Sequence, residues 1–314
     1  MSLLGRSLYQ IWHRPVGAIS SVFAAGGPWE VARNNRGRAE MIKTAADLPL
    51  LPSRDGPPLE LHLLTGQRFW DMTAFCLWTF ARHCDRPIAP KIYDDGTITE
   101  DVRAPLLRLF PATRFITQQE TIARLDTHLP IGKYPVLRER WINYPNIRKL
   151  LDPHVGRKGW KLVLDSDLLF FREPTFLIHW LSNPDRPLHA VDYETSYGYT
   201  RPLMEQLAGA KVADLVNVGV TGLNGSQIDW DLLEHWCDTL IKKEKTSYYL
   251  EQALIAMMVA GDRCKVAPAA DYITLPTLPE ALECQSVMHH YVAHSKKWYF
   301  QHNWRIASKD STNR

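Results

Sequence analysis

The chain has few of the features that mark secreted, membrane-spanning or nucleic-acid-binding proteins. Only five of its 314 residues are cysteine (Cys76, Cys84, Cys237, Cys264 and Cys284), and none forms a C-x-x-C pair. An odd number without paired spacing argues against a disulfide framework and against a thiolate zinc site, so the reducing cytosol is the expected compartment. No apolar run approaches the ~20 residues that span a bilayer. Residues 15–29 are uncharged and follow Arg6 and Arg14, but their Gly, Ser and Pro content makes a poor apolar region for a secretion signal. A net charge of +3 is too small to argue for a nucleic-acid partner, yet suits an anionic substrate. No internal repeat or low-complexity tract is present, which excludes a solenoid.

What remains is ordinary globular composition, 45% hydrophobic and 23% charged, with eleven tryptophans and twelve tyrosines. Most of these rings are expected in the core, while some suit stacking on bases or sugars. Residues 1–56 read as an N-terminal extension and linker. They comprise an apolar first helix over 1–12, the basic patch Arg33 to Arg38, and a proline-rich stretch at 48–58. The basic region would suit peripheral contact at the inner membrane face, or packing on the main domain. From residue 57 to 314 the pattern is α/β. Strands are expected at 59–65, 88–93, 113–117, 161–164, 188–191 and 215–223. Helices are expected at 69–84, 99–110, 138–151, 230–242 and 249–259. Alternation of this kind predicts a Rossmann-like, mainly parallel sheet flanked by helices.

Chemistry concentrates at Asp165-Ser166-Asp167, which ends the apolar run Trp160 to Leu164. Carboxylates on alternate residues of an extended segment point to one side and can face one cation. The carboxyl end of a central strand is where open α/β sheets bind ligands. Hard oxygen ligands suit Mg²⁺ or Mn²⁺ carrying a diphosphate.

Other segments fall in order around this motif: Leu63-Leu-Thr65-Gly-Gln-Arg-Phe69, Arg148-Lys149-Leu150, His189-Ala-Val-Asp192, Val216-Asn217-Val-Gly219-Val, Tyr249-Leu-Glu251-Gln252 and His290-Tyr-Val-Ala293-His-Ser-Lys296-Lys297-Trp298. Together they resemble the retaining glycosyltransferases of GT-A fold, specifically the family of glycogenin and the bacterial lipopolysaccharide galactosyltransferases (glycosyltransferase family eight). The resemblance covers roughly residues 59–300 as a set of motifs. The last segment fits the family's H-[FY]-x-G-x-x-K-P-W, with Ala293 in place of Gly and Lys297 in place of Pro.

The resemblance implies a role for each segment. Thr65 and Phe69 fall where the family binds the nucleotide base, and Arg148 or Lys149 where a cation meets the donor. Asp165, Ser166 and Asp167 form the D-x-D, with His290 completing the metal site and Lys296 binding the diphosphate. Asp192, Asn217 and Gln252 are expected to orient donor sugar and acceptor, with Glu251 standing where the family has Asp. The implied cofactor is Mn²⁺ or Mg²⁺, and the imidazole ligand tilts the choice toward Mn²⁺. The implied donor is a nucleoside diphosphate sugar, UDP-glucose or UDP-galactose by default, and the implied acceptor a glycan or glycolipid. Two other readings compete. One is a nucleotide-sugar or glycan binder without turnover. The other is a D-x-D phosphatase of the haloacid-dehalogenase type, although here the motif sits mid-chain and is followed by Leu168-Leu169.

Overall fold

The computed structural model describes residues 27–261 and 264–309. The expected first helix over 1–12 lies outside them. Seven strands form one sheet: β1 (Leu59–Thr65), β2 (Ile88–Asp94), β3 (Arg114–Ile116), β4 (Trp160–Leu164), β6 (Leu188–Val191), β7 (Val216–Asn224) and β8 (Lys265–Val266), in the order β3-β2-β1-β4-β7-β6-β8. The expected mainly parallel sheet is observed. β3, β2, β1 and β4 run parallel, β7 is reversed against both β4 and β6, and β8 is parallel to β6. A second sheet joins β5 (Leu168–Phe170), β10 (Met288–His290) and β9 (Tyr272–Thr274) in the order β5-β10-β9.

Strand order turns back at β1. The chain builds β2 and β3 on one side of it and then places β4 on the other, so a crevice opens at the carboxyl ends of β1 and β4. β4 ends at Leu164 and β5 begins at Leu168, so Asp165 to Asp167 is the hinge between the two sheets.

The helix Trp70–Arg82 is apolar on nearly all sides and is accordingly enclosed, with every residue from Trp70 to Phe80 buried. It shares one core with β1, β5 and the helix Pro28–Ala46, whose Met41 and Ala45 are fully buried in the same cluster. The proline-rich stretch that follows has no regular element but is tied down. Trp78 Nε1 donates to Pro49 O (2.8 Å), and Arg108 donates to the carbonyls of Ala46 and Leu48 (2.9 and 2.7 Å).

One expected helix is not continuous. The span 138–151 divides into the helix Pro135–Asn143, a 3-10 turn at Pro145–Ile147 and the helix Arg148–His154. Pro145 has no N–H to donate and pushes the residue before it out of the helical region; Tyr144 sits at φ −138°, ψ 89°. The break re-aims the short second helix so that its first turn faces the crevice. No described helix is long and apolar enough to cross a membrane.

Candidate active site

The D-x-D is held from both sides by backbone. Asp165 N donates to Gly219 O on β7 (2.8 Å), and Asp167 O accepts from Tyr291 N at the end of β10 (3.0 Å). β10 runs antiparallel to β5 with His290 opposite Leu168, one residue beyond Asp167. This register brings His290 to the aspartates. Its Nε2 lies 3.2 Å from Asp167 Oδ1 and 3.7 Å from Asp165 Oδ2. The neighbouring histidines face elsewhere, as strand alternation requires for His289, whose ring packs on Phe171. The His294 ring lies against Trp298.

The residues present fit a divalent cation. One ligand atom from each of Asp165, Asp167 and His290 lies within 4.8 Å of the other two. His290 Nδ1 is 3.2 Å from Asn217 Oδ1, an acceptor, so Nδ1 carries a proton and the ring in its neutral form presents the Nε2 lone pair to the two carboxylates. That buried Nε2 makes no hydrogen bond. A lone pair facing two anions is a poor arrangement until a cation lies between them, and fixing the imidazole through its other nitrogen is how metal-binding histidines are usually oriented. Gly219 makes room for this ring, since a Cβ there would collide with His290.

Around the three groups is a cleft of about 340 Å³ whose lining includes Lys149, Asp192, Asn217, Glu251, Gln252 and Lys296. Lys296 Nζ is 3.1 Å from Asp167 Oδ2. Burial pushes Asp167 upward, but His290, when its ring is protonated, and Lys296 outweigh it and hold the carboxyl below the usual carboxylate range. Lys149 bridges Asp165 Oδ1 (2.8 Å) and Glu251 Oε2 (3.4 Å). Burial opposes its charge, yet those two carboxylates keep it firmly protonated. Glu251 is pushed up to about 7 by burial, with Lys149 pulling it down and Asp165 adding to the rise. Gln252 Nε2 donates to Asp192 Oδ2 and to Val216 O, both at 2.9 Å. With both amide protons committed, the oxygen is the end left for a substrate.

Of the adjacent cations Arg148 and Lys149, the structure brings only Lys149 into the cleft. Arg148 is buried behind it and donates to Asp94 O (2.9 Å), Asp95 O (3.2 Å) and Asp152 Oδ2 (3.2 Å), which pins the end of β2. Lys297 turns onto the Trp298 ring, 5.2 Å from its centroid. Thr65, Phe69 and Ser166 do not line the cleft. The Thr65 hydroxyl accepts from Thr73 (2.8 Å), and Phe69 is partly exposed beneath the guanidinium groups of Arg38 and Arg68. Ala293, at the position of the glycine in the resembled pattern, keeps a left-handed backbone with φ 44°.

Sequence reasoning missed the cleft's rim. Tyr144, Tyr193, Tyr248 and Tyr249 all line it. The available signal was adjacency, since Tyr193 follows Asp192 and the Tyr248-Tyr249 pair precedes Glu251-Gln252.

Sheet order, reversed β7 and the D-x-D hinge define the fold of the GT-A glycosyltransferases. Among solved structures the chain is similar to mouse xyloside xylosyltransferase 1 in its apo form (TM-score 0.52, 14% identity, covering 75% of this chain and 98% of that one). It is also similar to the galactosyltransferase LgtC, solved with donor and acceptor sugar analogues (0.50, 16%, covering 81% and 97%). A third likeness is the apo bifunctional glycosyltransferase WbbM (0.50, 10%, covering 82% and 52%). No protein-family model and no curated protein matches the chain.

Proposed function

We propose that this protein is a glycosyltransferase. It moves a hexosyl group from a nucleoside diphosphate sugar, with UDP-glucose and UDP-galactose the first candidates, to a glycan or glycolipid acceptor with retention of configuration. The observation that carries this reading is the convergence of Asp165, Asp167 and an imidazole nitrogen without a hydrogen bond at the crevice of a GT-A fold. Asp165, Asp167 and His290 would hold the divalent cation, Mn²⁺ in preference to Mg²⁺, which when bound neutralises charge developing on the departing diphosphate.

The chain's own groups supply the rest. Lys296 sets fixed positive charge beside the diphosphate, where preorganised charge contributes most to reactions of this type. Lys149 adds a second cation, held in place by Asp165 and Glu251. Asp192, Asn217 and Gln252 orient the donor sugar and the acceptor hydroxyl, a saving in orientational freedom. The bond from the anomeric carbon to the phosphate oxygen breaks and a bond to the acceptor oxygen forms on the same face. The acceptor's proton passes to the departing phosphate oxygen. An amide oxygen such as that of Gln252 is a weak nucleophile, which favours this front-face course over a covalent intermediate.

Calorimetric titration of UDP-glucose and UDP-galactose, with and without Mn²⁺, tests the proposal on wild type and His290→Ala. Metal-dependent binding of one donor that weakens at least tenfold in the variant is expected. Absence of binding by every nucleoside diphosphate sugar, with the protein folded, would overturn it.

A further inference from the structure

We infer that the rim of the cleft is a sugar-binding platform built from Tyr193, Tyr248 and Tyr249, and that the acceptor is a pyranoside held by its ring face. The inference rests on the transferase reading for its role in catalysis, but the binding claim stands on its own observations.

Large aromatic side chains are rarely left in water without reason, because burial of a ring is strongly favourable. Five aromatic residues stand out as exposed among the described residues: Trp29, Phe69, Tyr193, Tyr248 and Tyr249. All three tyrosines of this group line the one cleft that holds the D-x-D. Their exposures are 47%, 73% and 38%, respectively. Tyr248 and Tyr249 stand at right angles with centroids 5.3 Å apart, making a corner rather than a packed core contact.

The backbone beneath them is fixed. The Tyr144 hydroxyl donates to Tyr248 O (2.5 Å) and accepts from Glu251 N (3.3 Å), so one side chain pins both ends of the turn that carries the pair. Gly198 lets the 193–199 segment approach Ser247 closely, at a φ of +70° that a side chain would strain. Tyr193 is steadied by its own hydroxyl on Glu194 Oε1 (2.8 Å). Rigid, amphipathic rings of this kind give contact area at little entropic cost, and tyrosine adds a hydroxyl at the edge.

The chemistry of the cleft is mixed. Asp165, Asp167, His290 and Lys296 gather the charge that suits a metal and a diphosphate. Tyr193 follows Asp192, and Tyr249 lies just before Glu251 and Gln252, so the rings are joined in the chain to the residues proposed to orient the transferred sugar. A ring with apolar C–H faces and polar edges fits tyrosine faces flanked by carboxylates better than an anionic phosphate does.

Saturation-transfer NMR tests this with the probes maltose, lactose and cellobiose on the full chain in Mg²⁺, followed by affinity titration of any that bind. The variants are Tyr193→Ala/Tyr249→Ala and Tyr193→Phe/Tyr249→Phe, and a parallel titration uses UDP. We expect at least one disaccharide to receive saturation from the protein. Its affinity should fall at least tenfold in the alanine variant and stay within about threefold in the phenylalanine variant, which keeps the rings. Unchanged thermal midpoints would show that both variants fold, as partly exposed positions should allow. Saturation of no sugar, or equal affinity in the alanine variant, would overturn the platform. So would a loss confined to UDP, which would assign the tyrosines to the nucleotide. Failure of UDP to bind wild type at all would count against the transferase reading instead, and leaves the sugar result to be judged separately.

Discussion

At the scale of single residues, the site depends on small allowances made elsewhere. Gly219 has no side chain because the His290 ring occupies that space. Gly219→Ala should therefore displace the imidazole, cost about 1–3 kcal/mol of stability, and weaken Mn²⁺ binding at least tenfold by calorimetry. Asp167→Asn replaces one oxygen of a proposed metal ligand while keeping volume. Metal-dependent donor turnover should fall by at least about a hundredfold, with the thermal midpoint little changed. A fully active Asp167→Asn enzyme would sink the metal assignment. Ala293 makes the opposite case, as a side chain where none is wanted. Left-handed backbone costs a non-glycine residue about 1–2 kcal/mol, and glycine gives back about 0.5–1 in unfolded-chain entropy. Ala293→Gly should raise stability by about 0.5–1 kcal/mol, read from the urea midpoint.

Among secondary-structure elements, what could be read from sequence follows from length and signal strength. The strands at 59–65, 88–94, 160–164 and 188–191 were visible because each is an apolar run bounded by turn residues. The helix Gln118–His128 is not among the expected elements, although its capping box, Thr117 with Glu120, stands in the sequence as T-x-x-E. The same holds for Thr277 and Glu280 at the start of the helix Leu278–Glu283. Strands of three residues, such as β5, β9 and β10, carry too few residues to show a period. Their pairing is set by distant partners that no local window contains. The metal candidates were legible because carboxylates on alternate residues impose their own geometry. Choosing between Arg148 and Lys149 was not, since successive helix residues differ by about 100° and the helix's aim is set by the break at Pro145. The tyrosine rim escaped because it lies on turns, where aromatic residues carry no periodic signal.

For the whole molecule, the buried histidines give the fold a pH limit. Burial lowers His62, and it lowers His154 to about 3; the His154 Nδ1 donates to Leu150 O at 2.8 Å. In the unfolded chain such a group takes up its proton near pH 6.5. Below that pH the unfolded state binds protons that the folded state refuses, so stability falls as the solution is acidified. The loss from the histidines should begin near pH 6.5 and continue toward the folded value near 3, opposed between about pH 7 and 4.5 by Glu251, which takes up its proton first in the folded state. A urea series across that range should show the slope, and His154→Gln should flatten it.

The second sheet has a consequence of a different kind. Asp165 and Asp167 close the hinge between the sheets, whereas His290 comes from the far end of the chain on a strand of three residues. So short a ladder can open by itself while the seven-stranded sheet stays intact. A cation held by all three groups would therefore act as a clasp across the hinge. Backbone amides at Met288 to Tyr291 should exchange with deuterated solvent quickly in the metal-free protein and slow markedly when Mn²⁺ is added, while those of β1 and β4 stay protected throughout. Loss of the metal would then be felt first as a loosened corner, with donor binding gone well before the protein unfolds.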